Sequence, residues 1–280
     1  MLDKAGAPYF SLNHSVSGGR SQWPGFVHLA RDCGYDAADF TSADLERVGV
    51  EESVNLLAES GLLAGFGKLP VECRREESLF RDEVALLEQR AKAAQRIGCK
   101  AMGCSVPSSA EIPFAEYYAV SLRRFRACAE VLEANGLRLA VEFVSPLHLR
   151  RKRPHEFIWN LPQTLEFVAD CGYGAGVLLD SWHWHHAGGT AAQILQAGPL
   201  ILHLHFADAA DLAPEAVEDM ERLLPGEGMV DWKQFLGALR AIGYRGGISP
   251  EVFGARLSNM SPESCAKLAL ERCKWTWGSF

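Results

Sequence analysis

The sequence predicts a single-domain α/β protein, a (β/α)₈ TIM barrel, and three observations carry that prediction. Short apolar, strand-like runs alternate with amphipathic helical stretches along 280 residues, enough chain for one such barrel with modest insertions. Several helical stretches end at a glycine followed at once by the next strand, as at Ser60-Gly61, Asn135-Gly136, Cys171-Gly172 and Ile242-Gly243. Four of the strand-like runs close on an acidic or imidazole residue: Glu142 in LRLAVEFV, Asp180 in GVLLDSWH, His205 in ILHLHFAD and Glu251 in GGISPEVF. Residues that end different parallel strands converge at the C-terminal mouth of a barrel, where such enzymes keep their chemistry. Two Glu, one Asp and one His gathered there describe a site for one divalent metal ion.

Taken in order, the apolar runs predict strands near Tyr9–Asn13, Asp36–Phe40, Leu62–Phe66, Ala101–Ser105, Leu137–Phe143, Gly176–Asp180, Ile201–Phe206 and Gly247–Val252. Helical periodicity predicts helices near Gly25–Asp32, Glu51–Ser60, Ser78–Ile97, Tyr117–Asn135, Leu161–Asp170, Thr190–Gln196, Asp231–Ile242 and Pro262–Trp275. Eight such units favour a closed barrel over an open sheet. No low-complexity tract or Ser/Gly-rich linker divides the chain, so residues 1–280 read as one domain. The main insertion is Pro146–Asn160, between the fifth strand and its helix.

Composition bounds the function. A net charge of −7 argues against a nucleic-acid partner, which phosphate neutralisation would mark with a basic face. The eight cysteines stand singly, with no C-x-x-C pair, and read as reduced residues of a cytoplasmic protein. The first residues, MLDKAGAPYFSLNHSVSGG, lack the basic start and apolar stretch of a signal peptide. No run approaches a membrane span.

Side-chain alternation sharpens the site. Residues two apart in a strand share a face, so His203 and His205 point the same way, with His203 one layer deeper. By the same parity Glu142 pairs with Ala140, Asp180 with Leu178 and Glu251 with Ser249. Each proposed ligand thus follows a small or apolar residue suited to the barrel interior. An ionised carboxylate on that face is costly unless a cation offsets it.

The segments LAVEFV, VLLDSWHWHHAGGT, HLHFADAAD, RLLPGEGMVDW and ALRAIGYRGGISPEVF resemble, in order and spacing, the second half of the sugar phosphate isomerase/epimerase family with the xylose isomerase-like barrel. Within it the inosose (2-keto-myo-inositol) isomerase branch is the nearest likeness, strong from about Leu137 to Glu251 and general before that. The resemblance implies metal ligation by Glu142, Asp180, His205 and Glu251. It also implies that His183, in the D-x-x-H pattern starting at Asp180, holds a substrate oxygen, and that Arg222 binds substrate.

The chemistry has its own logic. Moving a carbonyl along a polyol, or inverting the carbon beside it, removes a proton α to a ketone, and a Lewis-acid cation stabilises the resulting enediolate. Carboxylate-rich ligation suits Mn²⁺ or Mg²⁺, and one imidazole leaves Co²⁺ and Zn²⁺ open. Glu142 and Glu251 are the candidate acid–base pair, with His183 and Arg222 positioning substrate. The expected partner is therefore a small sugar or cyclitol. A dehydratase acting on an inosose or on 3-dehydroshikimate shares the first chemical step. An abasic-site endonuclease expects more histidines on the early strands and a basic face, which this chain lacks. A non-catalytic sugar-binding barrel completes the alternatives.

Other residues carry two readings. Trp182 and Trp184 either stack on a sugar ring or pack their loop against the barrel rim. His203 reads as a hydrogen-bonded interior residue rather than a fifth ligand, and His185 and His186 either line the mouth or lie in the solvated loop. His14 and Asp39, near the ends of the first two strands, are weaker candidates, while Lys68 reads as solvated rather than as a contact for an anionic substrate. The run Arg150-Arg151-Lys152-Arg153 reads as a solvated face, a lid, an anion receiver or a subunit contact, and departs from the inosose isomerase pattern. The glycines from Gly172 to Gly176 precede a strand, so they are no dinucleotide fingerprint. Pro250 predicts an irregular eighth strand just before Glu251. The KWTWGSF tail hints at a homodimer contact.

Overall fold

The computed structural model describes residues 7–17 and 22–280; part of the leading segment weighed above, including residues 1–6, lies outside them. Eight parallel strands close into a barrel: β1 (Tyr9–Leu12), β2 (Ala37–Phe40), β3 (Leu63–Lys68), β4 (Ala101–Ser105), β5 (Arg138–Glu142), β6 (Gly176–Asp180), β7 (Ile201–Phe206) and β8 (Gly247–Pro250). They follow one another around the ring in chain order, and β1 pairs with β8 to complete it. All eight coincide with the apolar runs read from the sequence. Helices surround the ring, and the main apolar core fills the layer between strands and helices.

Glycine caps make the predicted turns. After the helix Val50–Ser60, Gly61 adopts φ 66° and ψ 24°, a left-handed conformation that costs a side-chain-bearing residue energy, and its N–H donates to Ala58 and Leu57 carbonyls. The helix expected over Ser78–Ile97 is two helices, Glu77–Ala85 and Leu87–Arg96, meeting at Leu86. A further helix, Ser42–Val48, starts at a capping box between Thr41 and Asp44. The insertion after β5 carries a short helix, Leu147–Arg150, and its strand His155–Glu156 pairs with Ser109–Ala110 from the loop after β4.

The prediction for Pro250 needs correction. β8 keeps its register with β7 through Pro250, and the Glu251 N–H donates to the Phe206 carbonyl at 3.0 Å. Since Glu251 donates toward β7, the nitrogen of Pro250 faces β1, where pairing has already ended at Phe10–Ile248. The missing N–H therefore breaks no ladder bond.

Inside the ring, parity produces layers. Phe66, Ala140 and Leu178 form a small apolar cluster separate from the main core. His203 stacks on Phe66 with centroids 4.7 Å apart, and its Nε2 lies 2.7 Å from Ser249 Oγ. His203 is thus a satisfied interior residue one layer beneath His205. Space is tight at this level: a Cβ on Gly103 would stand 2.3 Å from the Ala140 carbonyl oxygen and 2.7 Å from Phe66 Cζ. Gly103→Ala should therefore lower unfolding stability by about 1–3 kcal/mol in urea titration. An unchanged midpoint would show that β4 and β5 can spread freely.

Candidate metal centre

The four strand-end residues meet at the mouth. Glu142 ends β5, Asp180 ends β6, His205 lies one residue before the end of β7, and Glu251 follows β8. One ligand atom from each lies within 4.8 Å of every other. The shared focus is His205 Nδ1, which stands 3.3 Å from Glu142 Oε1, 3.2 Å from Glu251 Oε2 and 4.0 Å from Asp180 Oδ2. Yet Glu142 Oε1 and both ring nitrogens of His205 are buried without a hydrogen-bond partner of proper geometry. Buried polar atoms are normally satisfied. Lone pairs that converge without pairing are what a cation would complete, and three carboxylate oxygens with one imidazole nitrogen fit a divalent ion.

The electrostatics agree with that fit. Burial pushes the Glu142 carboxyl up to about 7, and the neighbouring Glu251 charge adds to it. Burial likewise raises Asp180, against the pull of Arg222. Burial opposes the imidazolium of His205, but the Glu251 and Glu142 charges outweigh it and raise His205 well above its usual value. Glu251 itself is held low, because His205 and Arg222 outweigh its own burial.

Asp180 has two tasks. Its Oδ1 accepts from the Trp182 and His183 N–H groups at 2.7 and 3.1 Å, capping the helix Ser181–His186, while Oδ2 faces the cluster. That helix brings His183 to the mouth, fully enclosed. Burial, reinforced by Arg222, keeps His183 neutral by lowering its pKa well below the ordinary value. Its Nε2 lies 3.3 Å from Arg222 Nη2.

Arg222 reaches in from the loop after β7. Its Nη1 donates to Asp180 Oδ2 at 2.9 Å and to Glu251 Oε2 at 3.0 Å. Asp219 holds the other side, accepting from Nη2 at 2.9 Å, and the guanidinium lies between the Trp182 and Phe253 rings, 4.8 and 4.9 Å from their centroids. Sequence reading missed Asp219; its spacing three residues before Arg222 was the available signal.

The two tryptophans take the packing role. Trp182 lies beneath the Arg222 guanidinium and Trp184 packs against Phe235 and Gly189, so protein groups cover both rings. His185 and His186 lie half-buried on the same short helix, His186 edge-on to Trp182 at 4.3 Å. Asp39 is buried, accepting from Ser11 Oγ at 2.5 Å and the Phe66 N–H at 2.8 Å. His14 stacks on Phe26, and Lys68 is exposed. In the basic run, Arg150 is tied down: it pairs with Glu156 at 2.9 Å and stacks 3.6 Å above Trp159.

Comparison with known proteins gives a consistent family. The xylose isomerase-like TIM barrel model matches residues 27–275. Inosose isomerase of Bacillus velezensis is 24% identical over 200 residues, covering 70% of this chain and 69% of that enzyme. The inosose isomerase of Bacillus subtilis is 28% identical over 143 residues, half of this chain and 49% of that enzyme. A 3-dehydroshikimate dehydratase of Pseudomonas putida is 32% identical over 131 residues, 46% of this chain and 20% of that protein. Among solved structures, a xylose isomerase domain protein from Alicyclobacillus acidocaldarius superposes with a TM-score of 0.88 at 30% identity, covering 97% of this chain and 98% of its own. The IolI protein, solved with a binding zinc atom, gives 0.84 at 20% identity, with 97% and 99% coverage. No helix among the described residues is long and apolar enough to cross a membrane.

Protons compete with a cation for this cluster, because ligation needs Glu142 ionised and His205 neutral while burial raises the pKa of Glu142 and the neighbouring carboxylates raise that of His205. Divalent metal affinity should therefore rise with pH across about 7, with proton release on binding. Calorimetry in buffers of different ionisation enthalpy reads both; affinity constant between about pH 6 and pH 8 would contradict the assignment.

Proposed function

The chain belongs to the xylose isomerase-like TIM barrel family, and from that premise we propose that it is a divalent-metal-dependent isomerase or epimerase of a sugar or cyclitol hydroxyketone. The observation that carries the reading is the convergence of Glu142, Asp180, His205 and Glu251 within 4.8 Å at the barrel mouth. Mn²⁺ or Mg²⁺ suits the three carboxylates, and the imidazole keeps Co²⁺ and Zn²⁺ in range. The eight unpaired cysteines favour a cytoplasmic setting.

When bound, the metal supplies a Lewis acid that stabilises the enediolate of the substrate. The protein supplies the proton traffic. Glu142 and Glu251 stand on β5 and just past β8, three strands apart around the ring, so their carboxylates reach the cluster from different walls of the mouth. One removes the proton α to the carbonyl and the other returns it, at the same carbon for epimerisation or at its neighbour for isomerisation. His183, buried and neutral, holds a substrate hydroxyl through a ring nitrogen. Arg222 stays charged and offsets the negative charge that develops on the substrate oxygens.

A second reading has support from the Pseudomonas putida dehydratase segment. In a dehydratase the same enediolate expels a β-hydroxyl instead of being reprotonated, so product analysis separates the two. For either reading, Glu142→Gln and Glu251→Gln should each slow solvent-deuterium exchange into substrate by about a hundredfold or more while the barrel stays folded by circular dichroism. The screen runs over inososes, ketohexoses, pentuloses and 3-dehydroshikimate. Undiminished exchange in both variants would remove the two-carboxylate mechanism.

A further inference from the structure

Beside the mouth lies a cavity of about 630 Å³, within the usual size of a small-molecule pocket. We infer that it is a subsite for an anionic group, a phosphate or a carboxylate, carried on the far end of the substrate. This inference rests on the isomerase reading for the reacting end of the molecule.

Its position ties it to the metal centre. Ser105, on the cavity wall, stands opposite Glu142 in the β4–β5 ladder, and the N–H of Val106 donates to the Glu142 carbonyl at 2.8 Å. Adjacent strands run about 5 Å apart, so the cavity opens one strand away from a candidate ligand.

Its charge is unusual for this chain. Arg74 and Arg75 from the loop after β3, with Lys152 and Arg153 from the loop after β5, line the cavity together with Glu72 and Glu111. Both carboxylates are taken: Glu72 accepts from Arg74 Nε and Nη2 at 2.7 and 2.8 Å, and Glu111 lies 3.4 Å from Arg153. Arg75 and Lys152 make no ion pair among the described residues. In a protein of net charge −7, these two cations without an ion pair among the described residues come from separate loops to one concave space beside the candidate metal centre. Scattered solvated cations would have no reason to share it.

The walls are also held in place. Buried Arg124 donates to the Cys73 and Arg75 carbonyls at 3.0 and 2.6 Å, fixing the first loop. The second loop is stitched to its neighbour by the Ser109–Ala110 and His155–Glu156 strands and by Ser109 Oγ donating to the Leu149 carbonyl at 2.7 Å. Binding an anion there requires little rearrangement of the backbone.

The test uses the full-length metal-loaded protein and the double variant Arg75→Ala/Lys152→Ala, whose side chains are exposed and whose loss leaves the core intact. Inorganic phosphate and acetate are the calorimetric probes, and the substrates are a ketohexose, its terminal phosphate ester and a carboxylate-bearing hydroxyketone. Wild-type protein should bind at least one probe in a salt-sensitive way and prefer the matching anionic substrate. The double variant should weaken that binding, and the preference in kcat/KM over the neutral sugar, by about tenfold or more. The stronger probe distinguishes phosphate from carboxylate. Anion binding that survives the double substitution belongs to the metal and would overturn the inference, as would equal turnover of neutral and anionic substrates. Should no substrate exchange deuterium while the variant still loses anion binding, the subsite stands and the isomerase reading falls.

Discussion

Three carboxylates held against one imidazole nitrogen, all inside a protein mouth, set the constraint that the surrounding structure answers. Glu142, Asp180 and Glu251 approach His205 Nδ1 to between 3.2 and 4.0 Å. Such a concentration of negative charge away from water is destabilising unless positive charge is brought to it. Arg222 supplies a permanent part of that charge, bonding two of the three carboxylates from one nitrogen. Its guanidinium is fixed by Asp219 and by the Trp182 and Phe253 rings. The burial of Trp182 and the helix capped by Asp180 thus serve the same end: they hold a cation beside the cluster and leave the remaining lone pairs free for a second one.

The layer beneath explains why the cluster keeps its shape. His203 and Ser249 bond to each other across β7 and β8, and His203 rests on Phe66. Ala140 and Leu178 lie directly below Glu142 and Asp180 in their strands and pack with Phe66. Each candidate ligand therefore stands on a filled floor, which limits the directions in which its side chain can relax.

What lies on strands was legible in the sequence, because strand periodicity fixes both depth and face. Parity alone separated His205 from His203 and put Glu142, Asp180 and Glu251 on the inward face, as the geometry has them. Pro250 was misjudged for a related reason. A missing N–H matters only on the side that has a partner, and the sequence does not say that β1 stops pairing two residues earlier. The tryptophans were equally undecidable from their spacing, since exposure depends on Phe235, Gly189 and Arg222, residues distant in the chain. Asp219 escaped notice because its worth comes from where a loop places Arg222.

The same division separates reaction from substrate. The reacting end of the site is built from strand termini, whose positions follow from barrel closure, and so it is shared by every member that keeps the four residues. The proposed recognising end is built from the loops after β3, β4 and β5, tied together by a two-stranded patch and by buried Arg124. Loops tolerate change that strands do not. The run from Arg150 to Arg153 illustrates the consequence: four adjacent basic residues look uniform in sequence, yet Arg150 is locked to Glu156 and Trp159 while Lys152 has no ion pair among the described residues and lines the cavity. A charge run gains meaning only once folding has decided which of its members are neutralised. On the proposed anion subsite, substrate choice would depend on the loop cations left without an ion pair among the described residues, on a rim that can vary while the strand-end cluster below it stays constant.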